Sequence, residues 1–216
     1  MGNFCKEAVL LNVPDHKIFE FDPERAESYV NHKRNFNLVY YGTIDPMLGI
    51  DLSIEAVSHL TDRIPGIHYY ILGKGRDLDQ LIYLGRKLRI EDRIHFSRKN
   101  FPLGVLPTLL KEMDLGVIPN RKNVATDLML PVKLLEYVAI GIPVVAARLR
   151  TIEHYFSEDM ISYFEPENVK SMASAILNLY EDGTQRRQKT LRARMFLERF
   201  GWEKNHMDLI RLYQDL

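Results

Sequence analysis

Cysteine occurs once in the 216 residues, at Cys5. That excludes an internal disulfide framework and a cysteine-based metal site, and it fits a reducing compartment. Net charge is also missing: Lys+Arg and Asp+Glu are equal at 29 each. No overall field therefore draws the chain to nucleic acid or to an anionic membrane, and any recognition of phosphate has to be local. No apolar run approaches the roughly 20 residues needed to cross a bilayer. The opening Met1-Gly2-Asn3-Phe4-Cys5-Lys6 lacks the apolar core of a signal peptide. These absences point to a cytoplasmic protein with no integral membrane segment and no nucleic-acid partner. The chain also has no internal repeat, low-complexity segment or long flexible linker. A hydrophobic content of 46% permits one large core.

Short β-rich apolar runs alternate with amphipathic stretches, the pattern of βα units that build a parallel sheet. Strands are predicted at Ala8-Val9-Leu10-Leu11, Leu38-Val39-Tyr40-Tyr41, His68-Tyr69-Tyr70-Ile71-Leu72, Arg93-Ile94-His95-Phe96, Leu115-Gly116-Val117-Ile118, Val144-Val145-Ala146-Ala147 and Ile161-Ser162-Tyr163-Phe164. Ile50, Ile54 and Val57 mark one helical apolar face, and Leu78, Leu81, Ile82 and Leu88 mark another. After the last strand the pattern is wholly helical: Val169, Met172, Ile176 and Leu179 form a stripe, followed by two further helices. The stretch from Asn12 to Asn37, with Pro14, Pro23 and many charges, reads as a connection crossing the surface.

Ligands of an open parallel sheet sit beyond the carboxyl ends of its strands. Gly42-Thr43, Gly73-Lys74-Gly75-Arg76, Ser97-Arg98-Lys99-Asn100 and Pro119-Asn120-Arg121-Lys122-Asn123 follow four successive predicted strands. Small residues and cations thus converge on one edge, as a phosphate-bearing ligand requires. The segment from Leu130 to Ala147 adds an unusual helix start. Pro131 suits the first helical position, and Leu130 in the capping place has no side-chain oxygen for the free amides of the first turn. Those amides are available to an anion, Lys133 adds a positive charge, and Glu136 lies five residues beyond Pro131, roughly 7.5 Å along the axis. A nucleoside diphosphate matches that layout, with phosphates at the amides and lysine and ribose at the carboxylate. Read alone, Lys133 and Glu136 are equally consistent with an exposed ion pair worth a few tenths of a kcal/mol.

In order, these segments resemble the carboxyl-terminal, donor-binding domain of the retaining GT-B glycosyltransferases, the glycosyl transferases group 1 (family 4). Val9 to Phe19 resembles the segment leading out of the family's first domain. Ile71-Leu72-Gly73-Lys74-Gly75 matches its Gly-x-Gly, and Met113 to Asn120 matches its alanine-Asp-hydrophobic-Pro-Ser run. Lys133-Leu134-Leu135-Glu136-Tyr137 through Gly141-Ile142-Pro143-Val144-Val145-Ala146 is the strongest match, and Phe200-Gly201-Trp202 resembles the Phe-Ser-Trp that opens the final helix. There are departures. The family's two glutamates have seven residues between them; Glu136 stands at the second, whereas Leu128 occupies the first, beside Asp127. The Arg and Lys that clamp the diphosphate fall at Thr43 and Leu48.

The resemblance implies an α/β fold, a Rossmann-like doubly wound parallel sheet with a helical carboxyl-terminal tail, one half of a GT-B fold. Residues 1–36 would be the inter-domain connection and first strand, 37–200 the nucleotide-sugar-binding domain and 201–216 the carboxyl-terminal helix. The implied reaction is transfer of a sugar from a nucleotide-sugar to a hydroxyl acceptor with retention, in polysaccharide biosynthesis. A UDP-sugar is the expected donor, and no metal or other cofactor is expected. Lys133 and Glu136 would be catalytic. The donor would also meet Gly42, Thr43, Gly73, Lys74, Asp127, Pro131 and the amides of Val132, Lys133 and Leu134, with Phe96, Ser97 and Arg98 around the base. An amino-terminal acceptor domain would complete the enzyme, so the isolated chain is expected to bind donor and transfer little. A non-catalytic nucleotide-sugar-binding scaffold and a sugar-nucleotide epimerase of the same architecture are the alternatives.

Overall fold

The computed structural model describes residues 9–30 and 35–214. Six parallel strands form one sheet: β1 (Phe36–Tyr41), β2 (Ile67–Leu72), β3 (Ile94–Phe96), β4 (Leu115–Ile118), β5 (Val144–Ala147) and β6 (Ser162–Phe164). Their order is β3-β2-β1-β4-β5-β6. The order reverses between β1 and β4, and such a switch point opens a crevice at the carboxyl ends of the two strands. The central strands β4 and β5 are buried along their whole length, as a sheet covered on both faces requires.

The helices are α1 (Pro23–Ser28), α2 (Ile50–Ser58), α3 (Leu78–Lys87), α4 (Leu106–Leu110), α5 (Val124–Asp127), α6 (Val132–Ile140), α7 (Arg150–Tyr155), α8 (Val169–Glu181), α9 (Gly183–Phe200) and α10 (Trp202–Gln214). Two side-chain contacts put α2 and α6 on opposite faces. Tyr69, level with Leu38, bonds Ser53 of α2 at 2.9 Å. Gly116, level with Val39, has its Cα against the Tyr137 ring of α6, and neighbouring residues Leu38 and Val39 point to opposite sides. α2 packs with α3 and α8, while α6 packs with α4 and α9. The predicted stripes of Ile50, Ile54 and Val57, and of Met172, Ile176 and Leu179, are buried in α2 and α8.

The amino-terminal part corrects two expectations. Val9, Leu10 and Leu11 form no strand, and Val9 is 76% exposed; Ala8 lies outside the described residues. The backbone of this apolar run joins neither edge of the sheet. The stretch after Asn12 is also more than a surface crossing. Asp22 accepts from the amides of Glu24 and Arg25, and Pro23 sits in the first turn, so α1 forms and buries Arg25 and Ala26 together with the flanking Phe19 and Tyr29.

Candidate functional site

α6 leads into β5, so it runs antiparallel to the strands and its amino terminus lies at their carboxyl edge. Tyr137 fixes it there. Its hydroxyl donates to the Val39 carbonyl at 3.2 Å, and its ring meets Tyr41 edge to face at 5.4 Å. A Cβ at position 116 would come within 2.5 Å of that ring, so only glycine lets the helix approach the switch point so closely. At its other end α6 closes on Gly141 with φ 85, a left-handed residue suited to glycine.

The helix start differs from the expected one by a residue. Pro131 has φ −65 but ψ 124, so it is the cap and Val132 begins the helix. A proline cap offers no side-chain acceptor, and none is supplied. The Leu134 amide, expected to face a ligand, instead donates to the Pro131 carbonyl at 3.0 Å. The amides of Val132 and Lys133 remain without a helical partner.

Lys133 extends from this corner to Gly42, just past β1. Its Nζ lies 3.9 Å from the centroid of the Tyr40 ring and would be 3.3 Å from a Cβ at position 42. Burial pulls its pKa down to about 7, with no charged neighbour offsetting it. Glu136 is 7% exposed, and burial pushes its pKa up to about 7, again with no charged neighbour contributing. Among the described residues the two form no ion pair with each other, although they are one turn apart.

The loops after β1, β2 and β3 are tied together beside them. The Gly42 amide donates to Leu72 O at 2.9 Å and that of Ile44 to Lys74 O at 3.1 Å. The Gly73 amide donates to Ser97 Oγ at 2.9 Å, and the Ser97 hydroxyl donates to Lys99 O at 2.9 Å. A Cβ on Gly73 would lie 1.9 Å from the Gly42 carbonyl oxygen, so these two backbones touch. Thr43 offers its carbonyl to the Tyr40 hydroxyl at 2.6 Å. Phe96 is half-buried, while Lys74 and Arg98 are exposed, the latter with φ 54. The structure thus brings together Gly42, Thr43, Gly73, Lys74, Phe96, Ser97 and Arg98 as a continuous rim, with Pro131, Val132 and Lys133 against its Gly42 end.

Other expected residues are otherwise engaged. Asp127 Oδ1 accepts from the Arg150 amide at 2.9 Å, which ties it to the start of α7. Arg76 pairs with Asp45 at 2.9 Å, and Arg121 pairs with Asp51 and bonds the Pro46 carbonyl at 3.2 Å, so these two cations knit loops together. Two residues went unnoticed as site members in the sequence. Tyr40 lies under the Lys133 ammonium, and Asn120, 1% exposed beyond β4, has an Oδ1 without a hydrogen-bond partner among the described residues. Asn120 was visible in the sequence as part of the loop after the fifth predicted strand and as the last residue of the run matching the family's Asp-hydrophobic-Pro-Ser, but not as a buried side chain.

A cleft of about 630 Å³ between α2 and α3 is lined by Asp51, Glu55, Asp77 and Asp79 beside Lys87 and Arg121. Its excess of carboxylates is the wrong field for a diphosphate. Among the described residues, no helix is long and apolar enough to cross a membrane, and no three His, Cys, Asp or Glu side chains are grouped to hold a metal ion.

The model of the family described as glycosyl transferases group 1 matches residues 21–195. No curated protein matches the chain in sequence. Solved structures share the fold. The carboxyl-terminal domain of the glycosyl transferase group 1 family protein LpcC from Francisella tularensis is 16% identical at a TM-score of 0.69, covering 86% of this chain and 96% of that one. HepE from Anabaena, in complex with UDP and glucose, is 18% identical at a TM-score of 0.78, covering 97% of this chain and 57% of its own. Sucrose-phosphate synthase from Thermosynechococcus elongatus is 19% identical at 0.76, covering 94% and 51%. The chain therefore spans little more than half of the two longer proteins.

Proposed function

Because the chain belongs to the glycosyl transferases group 1 family, we propose that it is the donor-binding part of a glycosyltransferase that moves a sugar, with retention, from a nucleotide-sugar to a hydroxyl acceptor. The observation that carries this reading is the uncapped start of α6 at the switch point with the Lys133 ammonium beside it. Residues 37–200 form the nucleotide-sugar-binding unit. An amino-terminal acceptor domain completes the active site, and the chain alone transfers little. The UDP in the HepE complex supports a uridine diphosphate donor. The setting is polysaccharide biosynthesis in the cytoplasm, without a metal or other cofactor.

The chemistry follows from where charge develops. As the bond between the anomeric carbon and the diphosphate oxygen breaks, the sugar becomes oxocarbenium-like and negative charge grows on the leaving phosphate. Donors fixed in advance stabilise that charge without reorganising. The amides of Val132 and Lys133 and the Lys133 ammonium fill this role. Glu136, held near neutrality by burial, is ionised by ribose hydroxyls donating to it, since hydrogen bonds to the carboxylate favour the charged form. Backbone groups of the rim around Phe96, Ser97 and Arg98 receive the base.

A thermal-shift series with UDP, GDP and ADP tests this. At about a hundredfold excess over Kd, binding adds roughly 2.7 kcal/mol, or about 5–10 °C in Tm for a domain of this size. UDP is expected to give the largest shift, and no shift with any of the three would reject donor binding. The uncharged Thr43 and Leu48, where relatives carry the diphosphate-clamping cations, favour the non-catalytic scaffold as the second reading. Absence of transfer after fusion to an acceptor domain would select it.

A further inference from the structure

Lys133 reaches the carboxyl edge with no carboxylate in ion-pair range among the described residues, yet its ammonium has a definite seat. Nζ lies 3.9 Å from the centroid of the Tyr40 ring. Tyr40 is fully buried in β1, and its hydroxyl donates to the Thr43 carbonyl at 2.6 Å, so the ring cannot turn away without breaking that bond. Gly42, at φ 119, lies beside the ammonium, and a Cβ there would press on Nζ at 3.3 Å. One side chain therefore touches both the cation and the backbone of the loop that follows β1.

A carboxylate would hold the lysine too, but it would neutralise it, and an incoming phosphate would have to displace that partner. An aromatic face attracts an ammonium through its quadrupole while carrying no net charge. The seat thus favours the protonated amine against the burial that opposes it. We propose that Tyr40 is a positioning residue: its ring keeps Lys133 an uncommitted cation aimed at the ligand edge, and its hydroxyl locks Thr43 beside it, so that preference for a diphosphate over a nucleoside depends on the ring face. The ligand part rests on the donor-binding reading; the ring–ammonium part stands without it.

The test replaces Tyr40 by phenylalanine and by phenylalanines carrying one, two and three fluorines, which weaken the quadrupole at nearly constant volume, with Tyr40→Leu as the end point. The Lys133 titration is followed by NMR, its signal assigned by loss in Lys133→Met, and UDP and uridine affinities are measured by calorimetry on the same proteins. Tyr40→Phe is expected to leave the Lys133 midpoint within a few tenths of a pH unit and to weaken UDP by a few-fold, the share of the Thr43 lock. Along the fluorine series the midpoint is expected to fall stepwise by about one unit, with UDP weakening up to about tenfold and uridine unchanged. In Lys133→Met the series is expected to leave UDP affinity flat. A midpoint indifferent to fluorination overturns the proposal whatever UDP does. A midpoint that moves while even the unaltered protein ignores UDP rejects the donor-binding reading and the ligand part with it, and upholds the seat for Lys133.

Discussion

The two edges of the sheet treat buried charge in opposite ways. At the amino-terminal edge Arg25 bonds the Tyr29 hydroxyl at 2.8 Å, the Leu110 carbonyl at 3.2 Å and the Met113 carbonyl. Arg186 bonds the carbonyls of Tyr29 and Tyr180 at 2.7 Å each, and that of Leu179. Asp114 accepts from the Asn37 amide at 2.9 Å, level with the start of β1. These groups tie α1, α4, α8 and α9 to the strand starts, and their charge is consumed by the fold. Among the described residues at the carboxyl edge, Lys133 has only an aromatic face, Glu136 has no charged neighbour shifting it, and Asn120 keeps a buried oxygen free. Buried polar groups without partners cost stability. Unpartnered atoms occur at both edges, Asn37 Oδ1 and Arg186 Nε at the first among them, but the buried cations of the first edge hold backbone carbonyls whereas Lys133 at the second holds none among the described residues, which leaves that charge open to a ligand.

The largest expected effect is at the amino-terminal edge. Arg186→Met removes a guanidinium that holds three carbonyls and should lower unfolding stability by roughly 3 kcal/mol in urea titrations. The same substitution at the other edge should do the reverse. Lys133→Met replaces a half-buried ammonium that has no carboxylate partner among the described residues and is expected to raise stability by about 1 kcal/mol at neutral pH without ligand. Equal losses from the two variants would erase the contrast between the edges.

The pH dependence sharpens it further. Lys133 titrates near 7 in the folded chain against an ordinary 10.5. Between those values the unfolded chain binds the extra proton, so this contribution to stability rises with pH. Glu136 titrates near 7 against an ordinary 4.5. In that window the folded chain holds the extra proton, so its contribution falls as pH rises. Both penalties overlap near pH 7. The stability of the Lys133→Met/Glu136→Gln double variant relative to the unaltered protein should therefore be greatest there and shrink on either side, as urea midpoints across pH 4.5–10 would reveal. The smallest effect is at the solvent face of the amino-terminal edge: the exposed Arg63–Glu181 pair, 3.0 Å apart, should change stability by under about 0.5 kcal/mol when Arg63 becomes alanine.

How much of this was legible in the sequence follows from range. Stripes such as Ile50-Ile54-Val57 are local, and they gave α2 directly. The alternation of β and α runs gave the parallel class, and the Lys133 to Ala146 run gave the helix–strand unit at the switch point. Val9-Leu10-Leu11 misled because apolar content alone does not supply a neighbouring strand. The engagement of Arg76, Arg121 and Asp127 was hidden because each is decided by a partner distant in sequence. Tyr40 was read as a core strand residue; its role is set by a lysine that arrives from α6. The Leu134 amide is taken because the first turn closes tightly, on the Pro131 carbonyl three residues back, a detail the sequence does not carry.

The most direct test is calorimetric titration of UDP and uridine into the unaltered protein and Lys133→Met at pH 6.5. The account predicts that the substitution weakens UDP at least tenfold and leaves uridine within a factor of two. Equal loss for both ligands, or none for either, would contradict the placement of a diphosphate at the start of α6.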